Sequence, residues 1–98
     1  MNRIFNTKSE NKPEPFLTLA TRSINGWSMA LCPEFEVSAC GSDREAVVTD
    51  LCDMIERNAL LYVEEDPSKS KEPLLTWSKE VVKHKGDISG LFKNIYQG

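Results

Sequence analysis

The pattern of apolar and polar positions predicts three β-strands in the first half of the chain. Alternation and β-forming content place them at residues 16–24, 27–32 and 35–40. Asn25 and Gly26 lie between the first two strands and favour a type I′ hairpin turn, whose central residues both need positive φ. The two-residue turn predicts that these strands pair antiparallel.

In the second predicted strand, Trp27, Met29 and Leu31 share one face. Pro33 follows this strand and interrupts pairing, because proline has no N–H to donate to a ladder. Phe35 then opens the third strand. A three-stranded sheet packed on one side leaves its other face and its edges exposed, and such surfaces are available to a partner.

After the strands the periodicity becomes helical, and it predicts one long helix over residues 43–64. Ser42 and Glu45 match a capping box, in which the Ser42 hydroxyl accepts from the Glu45 N–H and the Glu45 side chain reaches back. The predicted apolar stripe, at spacings of three and four, consists of Val48, Cys52, Ile55, Ala59 and Tyr62.

The C-terminal third predicts a polar linker over residues 66–73, a helix that starts near Pro73 and stops at Gly86, and a last short helix capped by Asp87. The shared face of that last helix would carry Ile88, Leu91, Phe92 and Ile95. A helix this short is unstable alone, so it must pack on its own sheet or on a second copy. We predict a homodimer, with docking on the same chain as the alternative.

Together these elements predict an α+β fold: a three-stranded antiparallel sheet packed by one long helix, followed by one or two short C-terminal helices. Residues 1–15 would form a flexible N-terminal arm, residues 16–64 the β-β-β-α core, and residues 65–98 the linker and the C-terminal helical segment. A chain of 98 residues is long enough for one such core.

Composition narrows the class of function. The net charge of −3 does not favour nucleic-acid binding, and the basic residues are scattered except near Lys83. Three cysteines without close pairing, and a single histidine, predict no disulfide, no metal site and no cofactor.

No membrane-spanning run or secretory signal is recognisable, so we expect a cytoplasmic protein. No nucleophile–base pair or phosphate loop is recognisable, and we expect no enzymatic activity.

Three short motifs within residues 16–62 are informative: Gly26 and Trp27 after the first strand, residues 33–35 (P-E-F) after the second, and residues 40–46 (C-G-S-D-R-E-A) at the start of the helix. In these motifs the stretch resembles the HicB-like antitoxin family. The family pattern has P-E-L-x-G and G-x-T-x-E-E-A at the two latter places. This chain therefore departs from it by lacking the glycine after P-E-F and by an additional cysteine before Gly41.

The resemblance implies a truncated ribonuclease H-like fold, with three antiparallel strands, a helix and often a short further strand. It also implies a small binding or regulatory module that acts through a protein partner, such as a toxin. The alternatives are a DNA-binding repressor that uses the C-terminal segment, and a small nuclease. The residues expected to contact a protein partner are Trp27, Met29, Phe35, Leu91, Phe92 and Ile95.

Overall fold

The structure is a computed structural model that describes residues 15–65 and 72–97. It is an α+β fold, as predicted. The strands are β1 (Leu17–Ile24), β2 (Trp27–Cys32), β3 (Val37–Gly41) and β4 (Phe92–Gln97), and the helices are α1 (Arg44–Glu64) and α2 (Leu74–Lys83). Residues 1–14 of the predicted arm and residues 66–71 of the predicted linker lie outside the described residues.

The hairpin between β1 and β2 is as predicted. Asn25 and Gly26 have φ values of 51° and 77°, which are the signs that a type I′ turn requires at both central positions. Ile24 therefore pairs directly with Trp27, and this pairing sets the register of the whole ladder.

Between β2 and β3 the chain makes a 3₁₀ turn over Pro33–Phe35, and Glu36 leaves it with φ 53°. Phe35, expected to open the third strand, is instead part of this turn, and its side chain is 3% exposed. The reason is the early break at Pro33, which lets the chain turn inward before β3 starts at Val37.

Helix α1 matches the predicted long helix, but its cap differs. The N-cap is Asp43, whose carboxylate accepts a hydrogen bond from the Glu45 N–H at 3.2 Å. The predicted Ser42 cap is wrong, because the helix starts at Arg44 and Ser42 lies one residue too early to cap it. Its buried line consists of Val47, Leu51, Ile55 and Ala59. Ile55 and Ala59 are as predicted and Leu51 borders the predicted stripe, whereas Val47 is buried in place of Val48.

Helix α2 packs along α1 and buries Ser78 and Val81. The Trp77 ring stacks on Phe16, with ring centroids 5.7 Å apart, and so ties α2 to the segment that leads into β1. Buried Ser78 donates its hydroxyl to the Leu74 carbonyl at 2.8 Å, which satisfies its hydrogen-bonding need.

The C-terminal segment corrects the predicted last helix. After a 3₁₀ turn over Ser89–Leu91 it forms β4, which pairs parallel with β1. The order β3-β2-β1-β4 makes a four-stranded mixed sheet instead of the predicted three-stranded antiparallel one. The edge of β1 that β2 leaves unpaired can form backbone hydrogen bonds with a strand, and this pairing is more stable than an isolated helix of two turns. The Phe16 N–H donates to the Leu91 carbonyl at 2.9 Å where the pairing begins.

Both helices lie on one face of the sheet, and α1 contacts β2 and β3 directly. The sheet contributes Leu17, Leu19, Ala30 and Cys32 to the core, and Ile88 and Leu91 close it at the end near β4. A Cβ at Gly41 would meet Val47 Cγ2 at 3.1 Å, so the absence of a side chain at Gly41 allows the close approach of α1 to β3.

Candidate functional site: the open face of the sheet

The face of the sheet turned away from the helices carries most of the large exposed apolar side chains of the described residues. In β2, alternate residues Ser28, Ala30 and Cys32 are buried toward α1. Trp27 and Met29 therefore point to the opposite side, because successive side chains of a strand alternate between faces. The Asn25-Gly26 turn thus determines which residues are left outside.

The strand register brings these outward residues together. Arg22 pairs with Met29, which pairs with Cys40, and Ala20 lies between Leu31 and Tyr96. We call this surface the open face. It is formed by Ala20, Arg22, Ile24, Trp27, Met29, Leu31, Ser38, Cys40 and Tyr96.

Five large apolar side chains of the open face are about half exposed. The exposed fractions are 48% for Ile24, 51% for Trp27, 51% for Met29, 45% for Leu31 and 60% for Tyr96. With roughly 150–250 Å² available per aromatic residue, the patch is on the order of 500 Å². This estimate lies within the roughly 300–600 Å² of the largest apolar patch on a typical monomer, which is often a functional surface.

The open face is hollow. A concavity of about 550 Å³ lies over it, with Ala20, Met29 and Leu31 on its floor and Tyr96 beside them. The twist of a sheet makes such a surface saddle-shaped, so a convex object fits it better than a flat one.

Arg22 is the one charged residue of the open face. The four strands contain no aspartate or glutamate. Within residues 15–65 and 72–97, the Arg22 guanidinium has neither a hydrogen-bond partner nor an ion-pair partner. Its charge is therefore available to a molecule that covers the face.

Of the residues predicted to contact a partner, the structure places Trp27 and Met29 on the open face. Phe35 and Leu91 are 3% and 1% exposed and belong to the core. Phe92 is half buried against the same core. These side chains are therefore divided between the two sides of the sheet.

Ile95 is exposed, but it pairs with Leu19, which places it on the side of the helices. It lies there beside Arg44 and Val48 at the start of α1. The stripe predicted for the C-terminal segment does not form, because alternate residues of β4 point to opposite faces.

Sequence reasoning did not include Arg22, Ile24, Leu31 and Tyr96 among the contact residues. Alternation from Met29 would have found Leu31, and the two-residue turn would have found Ile24 opposite Trp27. Tyr96 carries no such signal, because its position depends on the pairing of β4 with β1.

A second polar feature lies where β1 starts. The Glu34 carboxylate accepts hydrogen bonds from the backbone N–H and the hydroxyl of Thr18, both at 2.8 Å, and from the Cys32 thiol at 3.5 Å. Partial burial alone would raise the pKa of Glu34, but the Thr18 hydrogen bonds outweigh it and the pKa is lowered. Burial raises the pKa of the Cys32 thiol to about 11. The carboxylate thus anchors the Pro33–Phe35 turn to β1.

The acidic residues of α1 are spread over its surface, and Asp53 pairs with Arg57 at 2.7 Å. Among residues 15–65 and 72–97, no three histidine, cysteine, aspartate or glutamate side chains are grouped closely enough to hold a metal ion. The thiols of Cys32, Cys40 and Cys52 are free.

The basic residues near the end of α2 are partly paired. Glu80 lies 3.2 Å from Lys83 Nζ and 3.9 Å from His84 Nε2. The segment that follows forms β4 instead of a second helix. DNA binding through residues 65–98 stays a prediction that these contacts do not favour.

Comparison of the chain with protein-family models, with curated proteins and with solved structures found no match. In the part of the chain that the structure describes, no helix has the length and apolar character to cross a membrane. The fold and the open face are therefore the basis for a functional proposal.

Proposed function

We propose that this protein is a small cytoplasmic regulatory module, similar to the core of HicB-like antitoxins, that acts by binding a protein partner through the open face. The observation that carries the proposal is the set of five large, half-exposed apolar side chains on one face of the sheet. The proposed role requires no catalysis.

The composition of β2 supports this role. Its outward residues Trp27, Met29 and Leu31 are apolar, and of its inward residues Ala30 and Cys32 are apolar and only Ser28 is polar. A strand that faces water on one side normally alternates apolar and polar residues, whereas a strand covered on both sides is largely apolar. The sequence of β2 is close to that of a strand covered on both faces, and residues 15–65 and 72–97 cover only one.

The topology also supports the proposed similarity. Three antiparallel strands, a long helix and a short further strand, β4, follow in the order that the family resemblance implies. Residues 33–35 form the turn after β2, and Gly41 ends β3 against the start of α1, so the motif residues lie at the corners of this fold.

The experiment is affinity capture from the native host with matched variants. We expect Met29→Lys to remove a co-purifying protein that the wild type retains, since a lysine would be buried under the partner. Leu61→Lys is the control, because Leu61 is 52% exposed on α1, which packs on the opposite side of the sheet. Loss of the same protein from both variants, or retention by both, would contradict binding through the open face.

The homodimer predicted from the sequence stays a prediction. The sequence argument for it was a short apolar C-terminal helix that could pack on a second copy. That argument is weaker now, because Ile88 and Leu91 pack into the core of their own chain and the segment forms β4 instead of a helix. Sedimentation of the wild type and of the Met29→Lys variant tests whether the open face mediates self-association instead.

A further inference from the structure

The inference concerns what kind of molecule covers the open face, and it rests on the proposed function. We infer that the occupant is an amphipathic α-helix of a partner protein that carries an aspartate or glutamate within its apolar stripe, where the carboxylate pairs with Arg22.

The shape follows from backbone hydrogen bonding. An extended peptide laid on a sheet face has no strand edge to pair with, so its N–H and C=O groups would be buried without partners. A helix satisfies these groups internally and can lie on a sheet as a third layer. The concavity over Ala20, Met29 and Leu31 accommodates a convex rod.

The charge follows from Arg22. Its neighbours on the open face are Met29 opposite and Ala20 and Ile24 on the same strand, and Tyr96 of β4 pairs with Ala20. An apolar occupant without a carboxylate would remove water from the guanidinium without forming an ion pair with it, and this desolvation costs free energy. A carboxylate in the occupant can accept two parallel N–H hydrogen bonds from the guanidinium, and these offset the cost of its desolvation.

The open face of a second copy does not provide a carboxylate that could pair with Arg22. Two open faces stacked on each other would enclose both Arg22 side chains in one apolar interface. No strand of either copy carries an acidic residue. The charge complementarity therefore points to a different polypeptide.

The test uses three synthetic helical peptides of about 18 residues, or roughly five turns. They have the same leucine stripe and differ at its central position, which is Glu, Gln or Lys. The readout is the fluorescence of Trp27 in a Trp77→Phe background, since Trp27 lies on the open face and Trp77, in α2, stacks on Phe16.

We expect the Glu peptide to bind at least about tenfold more tightly than the Gln peptide, and the Lys peptide to bind most weakly. Arg22→Gln should remove the difference between Glu and Gln, and Arg22→Glu should make the Lys peptide the tightest. Arg57→Glu is the control variant: Arg57 is exposed on α1 and pairs with Asp53, so this change should leave the order as in the wild type.

Equal affinities for the Glu and Gln peptides, or an unchanged order in Arg22→Glu, would overturn the inference. A wild-type dimer that dissociates on Met29→Lys, and that the peptides do not compete with, would identify a second copy as the occupant and would also overturn it. If no peptide binds, the helical occupant is wrong, whereas capture with Met29→Lys and Leu61→Lys still decides separately whether the open face binds a protein.

Discussion

The two faces of β2 differ in the size of their side chains, and the larger ones are on the outside. Under α1, β2 presents Ser28, Ala30 and Cys32, whereas away from the helices it presents Trp27 and Met29. Small inward residues let α1 approach the sheet closely, so the large outward ones are not needed to build the core. The difference is what the proposed binding role requires: within the described residues the core is built on one face, and large apolar side chains stay exposed on the other.

The largest expected effect compares equivalent truncations on the two sides. Leu51→Ala removes a side chain that is 0% exposed in α1 and should lower the free energy of unfolding by about 2–5 kcal/mol. Leu31→Ala, on the open face, should cost less than about 1 kcal/mol, because nearly half of Leu31 is already in water. Urea denaturation measures both, and similar losses would mean that the open face also supports the fold.

The cysteines provide a second test of the difference between the two faces, because Cys32 lies on the covered face and Cys40 on the open one. With its pKa raised to about 11 by burial, Cys32 has about 100-fold less thiolate at neutral pH than a thiol of the usual pKa 9.0. We expect Cys40 to be alkylated at least about 100-fold faster than Cys32 in the native protein, as followed by peptide mass spectrometry.

The control for this prediction is the same labelling in denaturant, where both thiols should react at similar rates. Native labelling of Cys32 as fast as Cys40 would contradict the assignment of the two faces.

Glu34 connects the two faces, because it accepts from Thr18 on one side and from Cys32 on the other. Its folded pKa is lowered, so its contribution to stability is present above the unfolded value of about 4.3 and is lost as the pH falls through the folded pKa. Thr18→Val should therefore destabilise the protein by about 1–2 kcal/mol at neutral pH and by less in acid.

A matched control exists in α2, where Thr76 donates both its N–H and its hydroxyl to Glu72 in the same way, but on the exposed surface. Thr76→Val should change the denaturation midpoint less than Thr18→Val. Equal effects of the two variants would mean that partial burial adds nothing to the Glu34 contact.

The smallest effect concerns the start of the covering helix. Asp43→Ala should cost about 0.5–2 kcal/mol, because the Glu45 N–H loses its acceptor. Ser42→Ala should be close to neutral in the same thermal or urea denaturation. A larger loss from Ser42→Ala would restore the capping box that the sequence suggested and would move the helix start.

The sequence predicted the hairpin and the long helix because their determinants are local. A two-residue Asn25-Gly26 turn admits one register, and alternation then divides β2 into its two faces. The exposed position of Trp27 and Met29 follows from those few residues alone. The helix over α1 was likewise visible from a periodicity sustained over five turns, although its cap was displaced by one residue.

Whether the C-terminal segment forms a helix or a strand was decided by the tertiary structure. Ile88, Leu91 and Ile95 have the spacing of a helical face, but the vacant edge of β1 provides hydrogen bonds for a strand, and long-range pairing outweighs a weak local preference. That pairing buries Leu91, brings Tyr96 beside Ala20, and places Arg22 within an apolar surface. Local sequence determined the hairpin, its two faces and the long helix, whereas the sheet edge, through contacts between residues far apart in the chain, determined that the C-terminal segment became a strand and where Tyr96 lies.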